Sequence, residues 1–153
     1  MSGETARKLL RIVEAETPHL KAMKEGDASR KPAPGKWCPK EVLGHLVDSA
    51  ANNHQRFLRA RKAEELRLPA YAQDEWVRRQ AYAEEPLSAI VDLWAAWNRH
   101  LAHVMARIPA EDLAAPCRIG ENPPVTLEFI VKDYVRHLEH HLRQIRPDYV
   151  TPA

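Results

Sequence analysis

The sequence predicts an all-α protein, a four-helix bundle whose helices are joined by long connections. Three observations predict it. Glycine is scarce, at 5 of 153 residues, β-branched runs are few, and long stretches are rich in the strong helix formers Ala, Leu, Glu and Arg. The 12 prolines gather mostly at 32–39, 69, 86, 109–124 and the C-terminus, leaving four long segments nearly free of them. Each of those segments repeats its apolar residues at helical spacing.

The first segment, 3–25, carries Leu9, Ile12, Val13, Leu20 and Met23 and is expected to stop at Gly26-Asp27, with Pro18 as an internal kink or break. The second begins at Pro39, a residue suited to a first helical turn, with Glu41 near the positive end of the helix dipole. Its stripe is Leu43, Leu46, Val47, Ala50, Phe57 and Leu58. A linker containing Pro69 and a short helical piece over 74–83 lead to the third helix, where Ile90, Leu93, Trp94, Trp97, Leu101, Val104, Met105 and Ile108 mark one face. The fourth starts at a candidate N-cap, Thr126, runs through Leu127, Ile130, Val131, Tyr134, Leu138, Leu142 and Ile145, and is ended by Pro147. Four helices with one apolar face each bury those faces against one another most economically as a bundle. The connections 26–38, 65–86 and 109–125 exceed what an up-and-down bundle needs, and long loops often carry function.

Bulk properties bound the rest. A length of 153 residues with 44% apolar content suits a single domain spanning 1–153. Charged residues nearly cancel, leaving +2, so nothing argues for a nucleic-acid partner; Arg59, Arg61 and Lys62 read as a solvated face. No apolar run approaches the roughly 18 residues of a membrane helix, and the N-terminus reads as an amphipathic helix rather than a leader. The expectation is a cytoplasmic protein with Cys38 and Cys117 as free thiols.

The chemistry concentrates in HLEHHLRQ, 137–144. On a helical wheel, with Leu127 and Ile145 at the centre of the buried face, His141 falls about 40° and His137 about 80° from it on one side, and His140 about 140° away toward solvent. His137 and His141 thus form an HxxxH pair one turn apart, the ligand spacing of helical metal sites. Glu139 points away and does not play the base of an HExxH motif. Gln144, a turn further on, can orient ligands or substrate. Spacing alone also fits two half-buried, hydrogen-bonded histidines, because a two-ligand site needs a partner from elsewhere. On the second helix the wheel favours His54, among Val47, Ala50 and Phe57, and sets His45 outside the stripe with Ser49 and Asn52. It leaves the choice open. A polar line of His45, Asp48, Ser49 and Asn52 can border a pocket instead.

Two segments resemble the DinB-like superfamily of metal-binding four-helix proteins. KWCPKEVLGHLVDSA (36–50) is similar to the family's Trp-x-x-x-(Glu/Gln)-(Val/Ile)-(Leu/Val)-x-His-(Leu/Val)-x-Asp opening of its second helix, and TLEFIVKDYVRHLEHHLRQI (126–145) to its final helix with HxxxH and a following Gln-Ile. DEWVRRQ and the Trp-rich third helix also look like the family. Cys38 departs from the Ser or Thr that many members place before the helix, which bears on the cap and not on the metal site. The resemblance implies a triad of His45, His137 and His141 on one divalent transition metal (Zn, Ni, Fe or Mn), with positions open to water or substrate. It reduces His54 to a core or supporting histidine, and Asp48, Asn52 and Gln144 become candidates for contacts to ligands or substrate. It further implies a metal-dependent enzyme acting on a small molecule, an S-transferase using a low-molecular-weight thiol as cosubstrate or a hydrolase. The other reading is a non-catalytic, metal-stabilised, stress-related binding module. Family members commonly form homodimers, for which Trp76, Trp94 and Trp97 offer apolar surface, although tryptophans in so small a domain more often fill the core.

Overall fold

A computed structural model describes residues 2–153. Four long helices form the bundle: α1 (Ser2–Ala22), α3 (Pro39–Arg59), α5 (Leu87–Met105) and α6 (Leu127–Ile145), with the short α2 (Glu25–Ala28) and α4 (Gln73–Gln80) in the connections. The first helix ends four residues before the expected Gly26-Asp27 stop, which falls inside α2, and it runs on through Pro18 to Ala22. Pro39 occupies the first turn of α3, and the Glu41 carboxylate accepts a hydrogen bond from the Cys38 backbone N–H at 2.8 Å. The acid therefore secures the helix start without a hydroxyl at position 38. Thr126 caps α6, its hydroxyl accepting from the Phe129 N–H at 3.2 Å.

Around the bundle the order is α1, α5, α3, α6, so α1 lies across from α3 and α5 across from α6. Cross-helix contacts give the directions. Lys8 meets Glu139 and Glu16 meets Arg146, so α1 and α6 run parallel. Lys21 reaches Asp92, so α5 runs against α1. His45 faces His137 and Phe57 faces Tyr134, so α3 runs against α6. This arrangement accounts for the long connections. Residues 23–38 and 106–126 each cross the bundle diagonally, and residues 60–86 return the chain to start α5 parallel to α3. Two of these connections pair into a small sheet, a minor addition to the helical architecture that helical periodicity does not foretell. Strand β1 (Leu66–Leu68) runs parallel to β2 (Pro116–Ile119), with Leu66 opposite Cys117, and β3 (Val125–Thr126) pairs antiparallel to β2.

The core holds Leu9, Ile12, Leu20, Leu43, Ile90, Trp94, Leu101, Leu127, Leu138 and Leu142 among its fully buried side chains. Trp94 is interior, Trp97 half-buried and Trp76 exposed. Leu58 and Leu93, expected on buried stripes, are exposed. The largest departure is on α3, where every residue from Val42 to Ala50 is buried. Helices α5 and α6 and the segment Tyr82–Glu84 pack on different sides of α3, so its buried arc is far wider than a single stripe. Both cysteines are free and buried, and no helix among the described residues is long and apolar enough to cross a membrane.

Candidate metal centre

Helix α6 projects His137 and His141 from successive turns, and α3 brings His45 against them. His45 Nε2 stands 3.2 Å from His137 Nε2, which stands 3.1 Å from His141 Nε2. His45 is 1% exposed; His137 and His141 are half-buried. Three imidazoles on one cation, at metal–nitrogen distances of about 2.0–2.1 Å, stand about 3.0–3.4 Å apart, so the observed spacings fit a shared ion. The donor set points the same way. A single proton on His137 Nε2 can serve one neighbour only, which leaves lone pairs facing one another unless a cation takes them.

The electrostatics favour neutral imidazoles at all three positions. Burial, followed by the neighbouring His141 and His137 rings, pushes His45 down to about 3. Burial, then His141, takes His137 down to about 4. Burial also lowers His141, against the opposing pull of Gln144. Neutral imidazoles are the metal-binding form. His141 Nδ1–H donates to Gln144 Oε1 at 2.8 Å, which leaves Nε2 as the bare nitrogen turned to its partners. The Trp37 ring lies 5.0 Å from that of His45, centroid to centroid, and closes the site from the chain entering α3.

The remaining expected residues are placed differently. Asp48 Oδ1 accepts from Gln80 Nε2 and from the Tyr82 hydroxyl, both at 2.8 Å, while Oδ2 is buried with no partner among the described residues. Neither oxygen bonds an imidazole of the triad. Burial raises the Asp48 pKa and those two donors oppose the rise. The Asn52 amide bonds back to the Asp48 carbonyl at 2.8 Å. His54 is not with the triad; its ring packs against Trp97 at 5.2 Å and His100 at 5.4 Å. His140 is exposed. Glu139 faces away from the imidazoles but into the protein, where it takes Lys8 at 2.7 Å and the hydroxyls of Tyr149 and Thr151.

The triad sits between two openings. On the His137 side is a pocket of about 510 Å³ between α3, α6 and the small sheet, with Ser49, Asn53, Arg56, Tyr71 and Tyr134 in its wall. On the His141 side is a broader groove of about 710 Å³ bordered by Trp37, Val42 and Gln144. Tyr82, Arg56 and Tyr71 lie outside the motifs, and Trp37 lies inside one without a role assigned to it. Only Trp37 had a signal, its place in the KWCPKEVLGHL match; the others reach α3 from distant chain or from a face the wheel left unassigned.

Comparison with known proteins agrees with this architecture. A family model described as the DinB superfamily matches residues 9–145. The chain is 23% identical over 127 residues to a protein of Oceanobacillus iheyensis named "Putative metal-dependent hydrolase OB0413", covering 83% of this chain and 73% of that one. Among solved structures, YfiT from Bacillus subtilis, described as "a probable metal-dependent hydrolase with an unusual four-helix bundle topology", matches with a TM-score of 0.81. That match covers 94% of this chain and 83% of the other at 20% identity, a likeness of fold.

Proposed function

The chain belongs to the DinB superfamily, and on that premise we propose that His45, His137 and His141 hold one divalent transition metal in a metal-dependent enzyme acting on a small molecule. The observation that carries the proposal is the convergence of three imidazoles, with His137 Nε2 at 3.1–3.2 Å from the Nε2 of both others and all three within 4.8 Å of one another, beside two openings. Three protein ligands with room for more is the pattern of a catalytic rather than a structural site. A cation so held supplies Lewis acidity and draws the pKa of a coordinated nucleophile toward neutrality. The protein's own part is positional. Gln144 fixes the His141 tautomer, Trp37 covers His45, and the pocket beside His137 is large enough for a small substrate.

Hydrolysis is the reaction we put first, in line with the naming of the Oceanobacillus relative. A thiol transfer would use the same site, with a low-molecular-weight thiol as the activated nucleophile. The metal is one of Zn, Ni, Fe or Mn, all of which accept imidazole.

Elemental analysis of protein purified without chelators tests the assignment. Wild type and His54→Ala are expected to carry about one metal per chain, and His45→Ala to carry little. Loss of metal in His54→Ala alone overturns the triad. An activity screen on esters, amides and thiol acceptors, run with and without chelator, then separates an enzyme from a metal-stabilised binding module. For the module, chelation unfolds the chain and no turnover is found.

A further inference from the structure

The pocket on the His137 side contains a charge that the metal reading does not use. Arg56 lies on α3 about three turns beyond His45, half-buried, in the wall of that pocket. Its Nη1 donates to Asn53 Oδ1 at a long 3.4 Å, and no carboxylate pairs with it among the described residues. Other arginines that reach into the protein are matched. Arg146 holds Glu16 through two bonds of 2.9 and 2.7 Å, and Arg118 meets Glu65 at 3.3 Å. The one acid in the same wall, Asp133, bonds Arg136 and attracts Arg56 only from a distance, forming no ion pair with it. Burial pushes the Arg56 pKa down, a sign of charge held short of solvent. Nearby, burial pushes the Tyr71 pKa up to about 12, so its phenol stays protonated and able to donate. The rest of the wall is largely apolar, with Ile119, Val125, Phe129 and Ile130.

A guanidinium fork without a carboxylate, in an apolar pocket, is a receptor for a planar anion. We propose that Arg56 anchors the substrate, and that the substrate is a small, mainly apolar molecule bearing one carboxylate, bound with the carboxylate on Arg56 and its reacting end toward His137. Arg56 stands eleven residues beyond His45 on α3, about 16 Å of helix axis, and its longer side chain leans back toward the N-terminus, so the guanidinium and the imidazole cluster are separated by about 10–15 Å. A carboxylate at one end of an extended apolar body spans it. The carboxylate end stands independently of the metal; only the assignment of the reacting end rests on the proposed metal site.

The test uses 3-phenylpropionate, 3-phenylpropionamide and inorganic phosphate as probes, titrated by NMR into the full chain with and without metal. Metal-free wild type is expected to bind the carboxylate with a millimolar Kd, and the amide and phosphate at least tenfold more weakly. Arg56→Met is expected to lose at least tenfold for the carboxylate, leave the amide unchanged and keep the wild-type metal content, with Arg56→Lys between them. Equal binding of carboxylate and amide by wild type overturns the inference without needing any variant, and so does preference for phosphate. Carboxylate selectivity in a protein that takes up no metal upholds the Arg56 assignment and overturns the metal site. Metal uptake without carboxylate selectivity does the reverse.

Discussion

Replacing Gly44 by alanine is expected to destabilise the protein although alanine is the better helix former. Gly44 sits inside α3 next to His45, and the Tyr82 ring lies directly on it. A Cβ added at Gly44 would come within 2.5 Å of Tyr82 Cε2 and closer still to Cγ and Cδ2, against about 3.4 Å for ordinary contact. The ring must withdraw by something on the order of 1 Å in a close-packed interior. Tyr82 is 3% exposed, and its hydroxyl donates to Asp48 Oδ1 at 2.8 Å. Withdrawal strains that bond and leaves Asp48, whose Oδ2 already has no partner among the described residues, with fewer donors. Helix propensity favours alanine by about 1 kcal/mol; overpacking costs about 1–3 and the lost bond to a buried carboxylate about 1.5–3, for a net loss of about 1.5–5 kcal/mol. Urea unfolding followed by circular dichroism measures the loss as a lower midpoint at constant slope. In a Tyr82→Ala background the obstacle is gone, and Gly44→Ala is expected to be neutral or stabilising by up to about 1 kcal/mol. An unchanged or raised midpoint in the single variant would refute the packing of Tyr82 on Gly44. The same result would remove the tie by which the 60–86 connection braces α3 one turn from His45.

Two further outcomes are expected. Gln144→Leu removes the acceptor for His141 Nδ1–H, so metal affinity should fall by about 10–100-fold with little change in stability, read by chelator competition. In the metal-free protein His45 and His137 are held down to about 3 and about 4, below the ordinary histidine value of about 6.5. Between about pH 6.5 and pH 4 the unfolded chain therefore binds more protons than the native one, and stability is lost as the pH falls through that window. The urea midpoint of the metal-free form should be lower at pH 5 than at pH 7, and His45→Gln should narrow the difference; a wider difference in the variant would contradict the argument.

Much of this was legible in one dimension because it depends on local repetition. The apolar stripes of α1, α5 and α6, Pro39 and Thr126 at helix starts, and the one-turn spacing of His137 and His141 are all properties of a single helix. Leu58 and Leu93 show the limit of stripes, since a residue at the edge of an apolar face is exposed or covered according to what packs beside it. The strands β1, β2 and β3 were illegible for a related reason: they are two to four residues long and form only where connections from distant parts of the chain meet.

The sequence by itself determined four amphipathic helices and two of the three imidazoles, because both follow from a rise of about 1.5 Å and a turn of about 100° per residue. Choosing His45 over His54 needed either the family motif or the packed structure. The wheel assumed one buried face, but α3 is enclosed by α5, α6 and the Tyr82 segment, and His45 faces α6 while His54 faces Trp97 and His100 of α5. Which histidine meets His137 is set by the direction and register of α3 against α6, and that register is a sum of contacts along the whole interface, absent from any window of sequence. Arg56 is the same case: an arginine near the end of a helix reads as a solvated charge until Asp133 is engaged elsewhere and the small sheet completes a pocket around it.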